Sequence, residues 1–418
     1  MRLAWFSPLP PARTGIAGYS ADVLPPLEAA GLRIDRFESR HAHDFVWRHR
    51  QRPYDLVVYQ LGNAAFHDYM WGYLFRYPGL VVLHDARLHH ARAAQLLRDA
   101  RVDDYRAEFA YDHPGAAAAA AEYAIEDLRG SGFYRWPMTR TVIESARLVA
   151  VHNASIAGDL RTQYPAAKIA RIRLGTPERR TSPDARGAIR ARHGIPASGV
   201  AFVAFGFVTA EKRIEPIVRA LASLISRGVD AHLLIAGENG YPGLDTLIAA
   251  HGVAPRVHVM GYIEDDRVAD VLAAGDISLS LRWPSAGETS GSWIESLAAG
   301  KPTIVTALPH NADVPSAVAL SVDLLDEDAA LVAAMSTLAG DAALRQRMGL
   351  AAREYWTANH RVELMAEDYR QVIAQAIAAP DPQPAGLPAH LTDDYSSLAT
   401  AIAREFGIDP IDPGSVRL

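Results

Sequence analysis

Short apolar runs alternate with longer amphipathic stretches along almost the whole chain. In the first half LAWFSP, DLVVYQL, GLVVLHD and RLVAVHN read as strands, and in the second half VAFVAFGF, AHLLIAG, RVHVMG, DISLSL and PTIVTA do so. Continuous apolar runs of this length suit parallel strands buried on both faces. Between them lie helical patterns. In one of these, Ile214, Ile217, Val218, Leu221, Leu224 and Ile225 fall on one face. Strand, helix, strand alternation argues for a doubly wound α/β architecture.

The pattern restarts midway. Residues 176–199 are polar, charged and dotted with Pro and Gly, and they read as a linker holding a short helix. A fresh strand–helix series begins at Val200. The chain therefore divides into an amino-terminal domain over 1–178, a linker over 179–199, a second domain over 200–355, and a helical crossover and tail over 356–418. At 418 residues it exceeds one ordinary core, which agrees with two domains. The alanine run Ala116–Ala121 is read as helix, residues 379–394 as a Pro-rich loop, and roughly 395–406 as a last helix. Two Rossmann-like halves facing one another leave a cleft, with ligands held outside the carboxyl ends of the strands.

Charge and composition narrow the chemistry. Lys+Arg 42 against Asp+Glu 48 gives a net charge of −6, which offers no global field for nucleic acid. There is no cysteine, so disulfides, thiolate metal sites and a cysteine nucleophile are excluded. The opening apolar run is soon broken by prolines and reads as a strand, not a signal peptide. No stretch is long enough to span a bilayer. A cytoplasmic protein is expected, with room for peripheral contact at the inner face of a membrane.

Two segments carry most of the candidate chemistry. RWPSAGETSGSWIESLAAGKPTIVTA, residues 282–307, runs from strand end through loop and helix to strand. Gly291 and Ser292 lie at the helix start, where unpaired N–H groups suit a phosphate, and Thr289 and Ser290 add hydroxyl donors. Ser292 and Glu295 also have the spacing of a capping box, so Glu295 has either a capping or a ligand role. Glu288, in a loop of Gly, Ser and Thr, is read as a ligand contact. In FVAFGFVTAEKRIEPIVRAL, residues 202–221, a strand ends at Gly206 and a loop presents Lys212 and Arg213, two cations able to neutralise a diphosphate. The chain holds three lysines, Lys168, Lys212 and Lys301, against a background of arginine; that choice at 212 points to a compact ammonium.

Together, FGFVTAEKR, LLIAGENG, VHVMGYIEDDRVADVLAAGDISLSL and GETSGSWIESLAAGKPTIV resemble the family 4 retaining glycosyltransferases of the GT-B fold. The match is good over about residues 200–310 and loose in the first half. The resemblance implies a nucleotide-diphosphate sugar as substrate, with no cofactor. Lys212 would hold the diphosphate, Glu295 the ribose hydroxyls, the backbone at Tyr262 and Ile263 the base, and the GETSG loop the donor sugar. Two departures stand out. The family places its first glutamate eight positions before the second, where this chain has Gly287, with Glu288 one residue later. Phe207 replaces the arginine that usually follows the strand-end glycine, so the second phosphate cation is Arg213 or Arg282.

In the first half, Gly15 and Gly18 open a strand–helix turn resembling the family loop that approaches the donor phosphates. His84 and Asp85 end a strand facing the cleft, and the resemblance places an active-site histidine near His84. His89, His90, His152 and Asn153 are weaker candidates. No metal site is evident, since no strand ends in a paired Asp-x-Asp. The expected activity is retaining glycosyl transfer of hexosyl type to a sugar or glycolipid acceptor, catalysed by His84, Lys212 and Glu288. A non-catalytic nucleotide-sugar binder or regulatory subunit, and a GT-B epimerase or phosphorylase, are the alternatives.

Overall fold

The computed structural model describes residues 1–126 and 132–393; the helix expected over 395–406 lies outside these. The amino-terminal sheet comprises β1 (Arg2–Phe6), β2 (Arg33–Phe37), β3 (Leu56–Leu61), β4 (Leu80–Leu83), β5 (Leu148–Val151) and β6 (Ile169–Arg171). The second sheet comprises β7 (Val200–Phe205), β8 (Ala231–Ala236), β9 (Val257–Gly261), β10 (Ile277–Ser280), β11 (Thr303–Thr306) and β12 (Ala319–Val322). Their orders are β2-β1-β3-β4-β5-β6 and β12-β11-β10-β7-β8-β9, with parallel pairing in both. The second order is that of a Rossmann sheet, and its direction of winding reverses between β7 and β10. In the first sheet the reversal falls between β1 and β3. Each reversal leaves a crevice at the carboxyl ends of the strands, where no crossover helix covers the sheet edge.

The nine apolar runs all appear as strands. Three strands have no such run: β2 (RIDRF), β6 (IAR) and β12 (ALSV). All three are edge strands with partly exposed positions between their buried ones, so they need no continuous apolar stretch. The alanine run is helical only from Ala119 onward, because Pro114 and Gly115 turn the chain just before it.

Five helices matter for the site: α1 (Gly15–Ala29), α2 (Ile214–Ser226), α3 (Gly291–Ala298), α4 (Ala342–Asn359) and α5 (Val362–Ala378). The apolar face of α2 is buried at Ile214, Ile217, Val218, Leu221 and Leu224. One apolar cluster joins the two lobes. It combines Trp5, Val23 and Leu27 with Trp293 and Leu297 of α3, Trp356 of α4 and Met365 and Tyr369 of α5. Crossover helix α5 packs back on α1, where the Tyr19 hydroxyl donates to the Tyr369 hydroxyl at 2.7 Å. The two chain passages between the lobes are bonded to one another: Thr176 N–H donates to the His360 carbonyl at 2.9 Å, and Val362 N–H to the Thr176 carbonyl at 3.1 Å. Gly175 is required there, since a β-carbon would lie 2.6 Å from the Arg361 carbonyl oxygen.

Candidate active site

The site is built at the β7/β10 reversal. β7 delivers Gly206 with φ +102°, a left-handed backbone that favours glycine, and a β-carbon there would overlap Lys212 Nζ. Lys212 folds back under the strand end and donates to the Phe205 carbonyl at 2.7 Å. Burial, helped by the nearby Arg282 guanidinium, pushes its ammonium down to about 7. An ammonium so displaced is poised to regain its proton when an anion arrives beside it.

β10 delivers Arg282, whose Nε lies 2.8 Å from Glu288 Oε1; the Ser285 hydroxyl donates to Glu288 Oε2 at 2.9 Å. Both carboxylate oxygens of Glu288 are therefore held. Gly287 explains why the acid stands one residue late. Its φ is +81°, and a β-carbon would lie 2.8 Å from Ile156 Cδ1 and 3.0 Å from Ala86 Cβ, side chains of the opposite lobe. The loop is pinned there by the Ala86 N–H donating to the Ala286 carbonyl at 2.7 Å. Asn153 Nδ2 also donates to the Gly287 carbonyl at 3.1 Å and to Thr289 Oγ1 at 3.2 Å.

The cap of α3 is Ser290, not Ser292: its hydroxyl accepts from the Trp293 N–H, and Gly291 is the first helical residue. Ser292 lies in the first turn, with its hydroxyl 3.0 Å from that of Ser290. Glu295 makes no capping box. Its carboxylate is instead taken by Arg179 of the linker, with Nε to Oε1 at 2.9 Å. The capping alternative is thus excluded. Burial raises the Glu295 carboxyl to about 7 despite that arginine.

Arg213 is paired away from Lys212. It too has a positive φ, +59°, and its guanidinium is paired with Glu327, with Nε to Oε1 at 2.8 Å. Arg282 is left as the arginine coupled to Lys212. His84 lies at the end of β4, half-buried. Its Nε2 is bonded to Gln60 Oε1 at 2.9 Å, and its ring meets Tyr19 edge-on at 4.7 Å and His152 at 5.0 Å. Burial and the neighbouring His152 and His67 hold its pKa well below the ordinary value. The next residue, Asp85, meets the fields of Glu288 and Arg282; burial and Glu288 raise its carboxyl to about 6. A backbone N–H from Asn63 donates to it at 2.7 Å.

The opening loop reaches the other lobe. Thr14 caps α1 by accepting from Ala17 N–H, and Gly15 faces open space. A β-carbon on Gly18 would lie 3.8 Å from Asp265 Oδ2, beyond β9. The Arg13 guanidinium stands 4.3 Å over the Tyr262 ring, and Ile263 packs into the apolar cluster behind it. Lys212, Arg282, Glu288 and Asp85 thus meet in one crevice, with Gly206 and the α3 terminus at its floor. Glu295, Tyr262, Gly15 and Gly18 stand along its side. Asp85 had a local signal in the strand-end HD pair; Arg179 and Asp22, which meet Glu295, had none because they come from a linker and a helix face. Among the described residues, no group of three or more His, Asp or Glu side chains is arranged to hold a metal ion. No helix there is long and apolar enough to cross a membrane.

This arrangement of two facing sheets is that of the GT-B glycosyltransferases. Sucrose-phosphate synthase from Thermosynechococcus elongatus superposes with a TM-score of 0.67 at 18% identity, covering 90% of this chain and 99% of that one. Residues 199–341 match the family described as Glycosyl transferases group 1. The alpha-D-kanosaminyltransferase of Streptomyces kanamyceticus is 25% identical over 220 residues, 52% of this chain and 50% of that protein. A GDP-mannose-dependent alpha-(1-6)-phosphatidylinositol dimannoside mannosyltransferase of Mycobacterium tuberculosis is 31% identical over 150 residues, 35% of this chain and 33% of that protein. The chain therefore aligns with half or less of the length of these curated relatives.

Proposed function

We propose that this chain is a glycosyltransferase that moves a sugar from a nucleotide-diphosphate donor to an acceptor hydroxyl, with retention at the anomeric carbon. One observation carries the reading: Lys212, Arg282 and the amino terminus of α3 converge at the β7/β10 reversal. Two cationic side chains and a helix terminus are what a departing diphosphate needs, and charge preorganised in this way supplies much of the rate enhancement of many enzymes. The similarity to named glycosyl- and mannosyltransferases supports the class.

In this reading Glu295 accepts from the ribose and the Tyr262–Ile263 backbone meets the base. Glu288, held by Arg282 and Ser285, orients the donor sugar. The C1–O bond to the diphosphate breaks as an oxocarbenium-like centre forms. The acceptor oxygen then bonds to C1 on the same face, and its proton passes to the departing phosphate oxygen. Asp85 faces this point from the acceptor lobe. The contacts from Asn153 to the GETSG loop and from Ala86 to Ala286 just before it hold the lobes together and keep water from the donor. Donor turnover in the presence of simple sugar and glycolipid acceptors tests the proposal. Wild-type protein should release nucleoside diphosphate, and folded Lys212→Ala should not; equal release by both would remove the site from the reaction.

A further inference from the structure

The linker supplies a charged group that the transfer step does not use. Arg179 donates through Nε to Glu295 Oε1 at 2.9 Å and through a terminal nitrogen to Asp22 Oδ2 of α1 at 3.3 Å. Its side chain is 20% exposed, and those of Asp22 and Glu295 are 19% and 11% exposed, so this charge sharing is only weakly screened by water. Arg179 is not free to wander. Adjacent Glu178 is paired with Arg353 of α4, which also donates to the Ala298 carbonyl at the end of α3. Thr176 is bonded to His360 and Val362.

The geometry leaves half of the Glu295 carboxylate open. Only Oε1 is occupied; Oε2 has no donor among the described residues. Arg179 and Glu295 also line a cavity of about 500 Å³ that runs along α3 and α4 past Ala298, Gly300 and Arg353.

We propose that Arg179 is a positioning residue for nucleoside recognition: it grips Glu295 through Oε1 and turns the free Oε2 toward the ribose hydroxyls of the donor. The proposal rests on the reading that Glu295 meets the ribose. A charged carboxylate accepts hydrogen bonds from a diol more strongly than a neutral carboxyl does. Three influences oppose ionisation here: burial, Asp22 of α1, and Asp265 beyond β9. Arg179 is the group that opposes them. Without it the carboxyl stays protonated through neutral pH, and one acceptor becomes a donor.

The test compares UDP and GDP with their 2′,3′-dideoxy analogues by calorimetry at pH 6.5, 7.5 and 9, for folded wild type, R179Q, R179K, D22N and E295Q. The ratio of ribo to dideoxy affinity cancels the pH dependence of the phosphates and of Lys212. Wild type should favour the ribonucleotide, and E295Q should lose that preference. R179Q should cut the preference at pH 7.5 by about tenfold, the difference between a charged and a neutral hydrogen bond, and regain it at pH 9. R179K, which keeps the charge, should fall between. D22N removes a like charge and should move the midpoint the opposite way, to lower pH; a purely structural role would move both variants together. A wild-type ratio in R179Q at every pH, or the same direction of shift in R179Q and D22N, overturns the proposal while E295Q still loses the preference. If wild type binds both nucleotide forms equally, the ribose reading of Glu295 fails, and this proposal with it.

Discussion

Lys212 offers the sharpest pH test of the phosphate site. In the free protein its ammonium has been pushed down to about 7, mainly by burial and then by Arg282. A diphosphate placed against it favours the charged form, so the bound pKa must lie higher. Binding above pH 7 then takes up a proton, and affinity falls as pH rises through the free-protein value. Above pH 7 the loss approaches about 1.36 kcal/mol per unit, and between pH 7 and 9 it comes to about 2.3 kcal/mol, or about fiftyfold. Glu295 and the nucleotide titrate over the same range, but they do so equally in a Lys212→Met variant. The ratio of wild-type to variant affinity isolates the lysine. It should be largest at pH 6.5 and fall about tenfold per unit above pH 7 until it approaches one. Calorimetry in buffers of different ionisation heat should register uptake of about 0.9 proton at pH 8 by wild type beyond that of the variant. A ratio that is the same at pH 6.5 and pH 9, with no extra proton uptake, would show that Lys212 does not meet the diphosphate as a cation.

Three further outcomes rest on the same geometry. Arg282→Ala removes a diphosphate cation and the partner of Glu288, and should lower donor turnover by about 10²–10³-fold with the melting temperature nearly kept; a loss under fivefold would place the arginine outside the reaction. Gly287→Ala forces a β-carbon against Ile156 and Ala86 at positive φ, so it should cost about 1–3 kcal/mol in thermal unfolding and weaken acceptor-dependent turnover more than nucleotide binding. An unchanged melting curve there would show that the lobes do not meet as described. Tyr369→Phe removes a hydroxyl bonded to Tyr19 and Gln60 in the buried core and should destabilise by about 1–3 kcal/mol, read by chemical denaturation; no change in midpoint would mean the Tyr19 hydroxyl is satisfied without it.

Much of this architecture was legible because parallel strands buried on both faces write themselves as unbroken apolar runs. The edge strands β2, β6 and β12 were not, since an edge strand leaves partly exposed positions that take the charges of RIDRF between the buried Ile34 and Phe37. Lys212, Glu288 and the α3 terminus could be read from local spacing, because strand, loop and helix place them within one unit. Arg213 could not be separated from Arg282 by sequence. Each is paired with an acid, Arg213 with Glu327 and Arg282 with Glu288, and only Arg282 stands close enough to act on Lys212. His84 and Asp85 are neighbours at one strand end, and their surroundings, Gln60, Tyr19 and His152 around the histidine and Asn63 at the aspartate, come from distant parts of the chain. The late position of Glu288 likewise comes from a contact with the other lobe at Gly287.

Everything proposed for the reaction depends on the β7/β10 crevice binding a nucleotide-diphosphate sugar through Lys212. The decisive measurement is a thermal shift of wild type and Lys212→Ala against UDP, GDP, dTDP, ADP and their sugar conjugates at pH 6.5. A ligand at a hundred times its dissociation constant adds about 2.7 kcal/mol, so one base should raise the wild-type melting temperature by several degrees and leave Lys212→Ala unmoved. No shift with any of them, or the same shift in both proteins, would mean that the crevice is not the donor site.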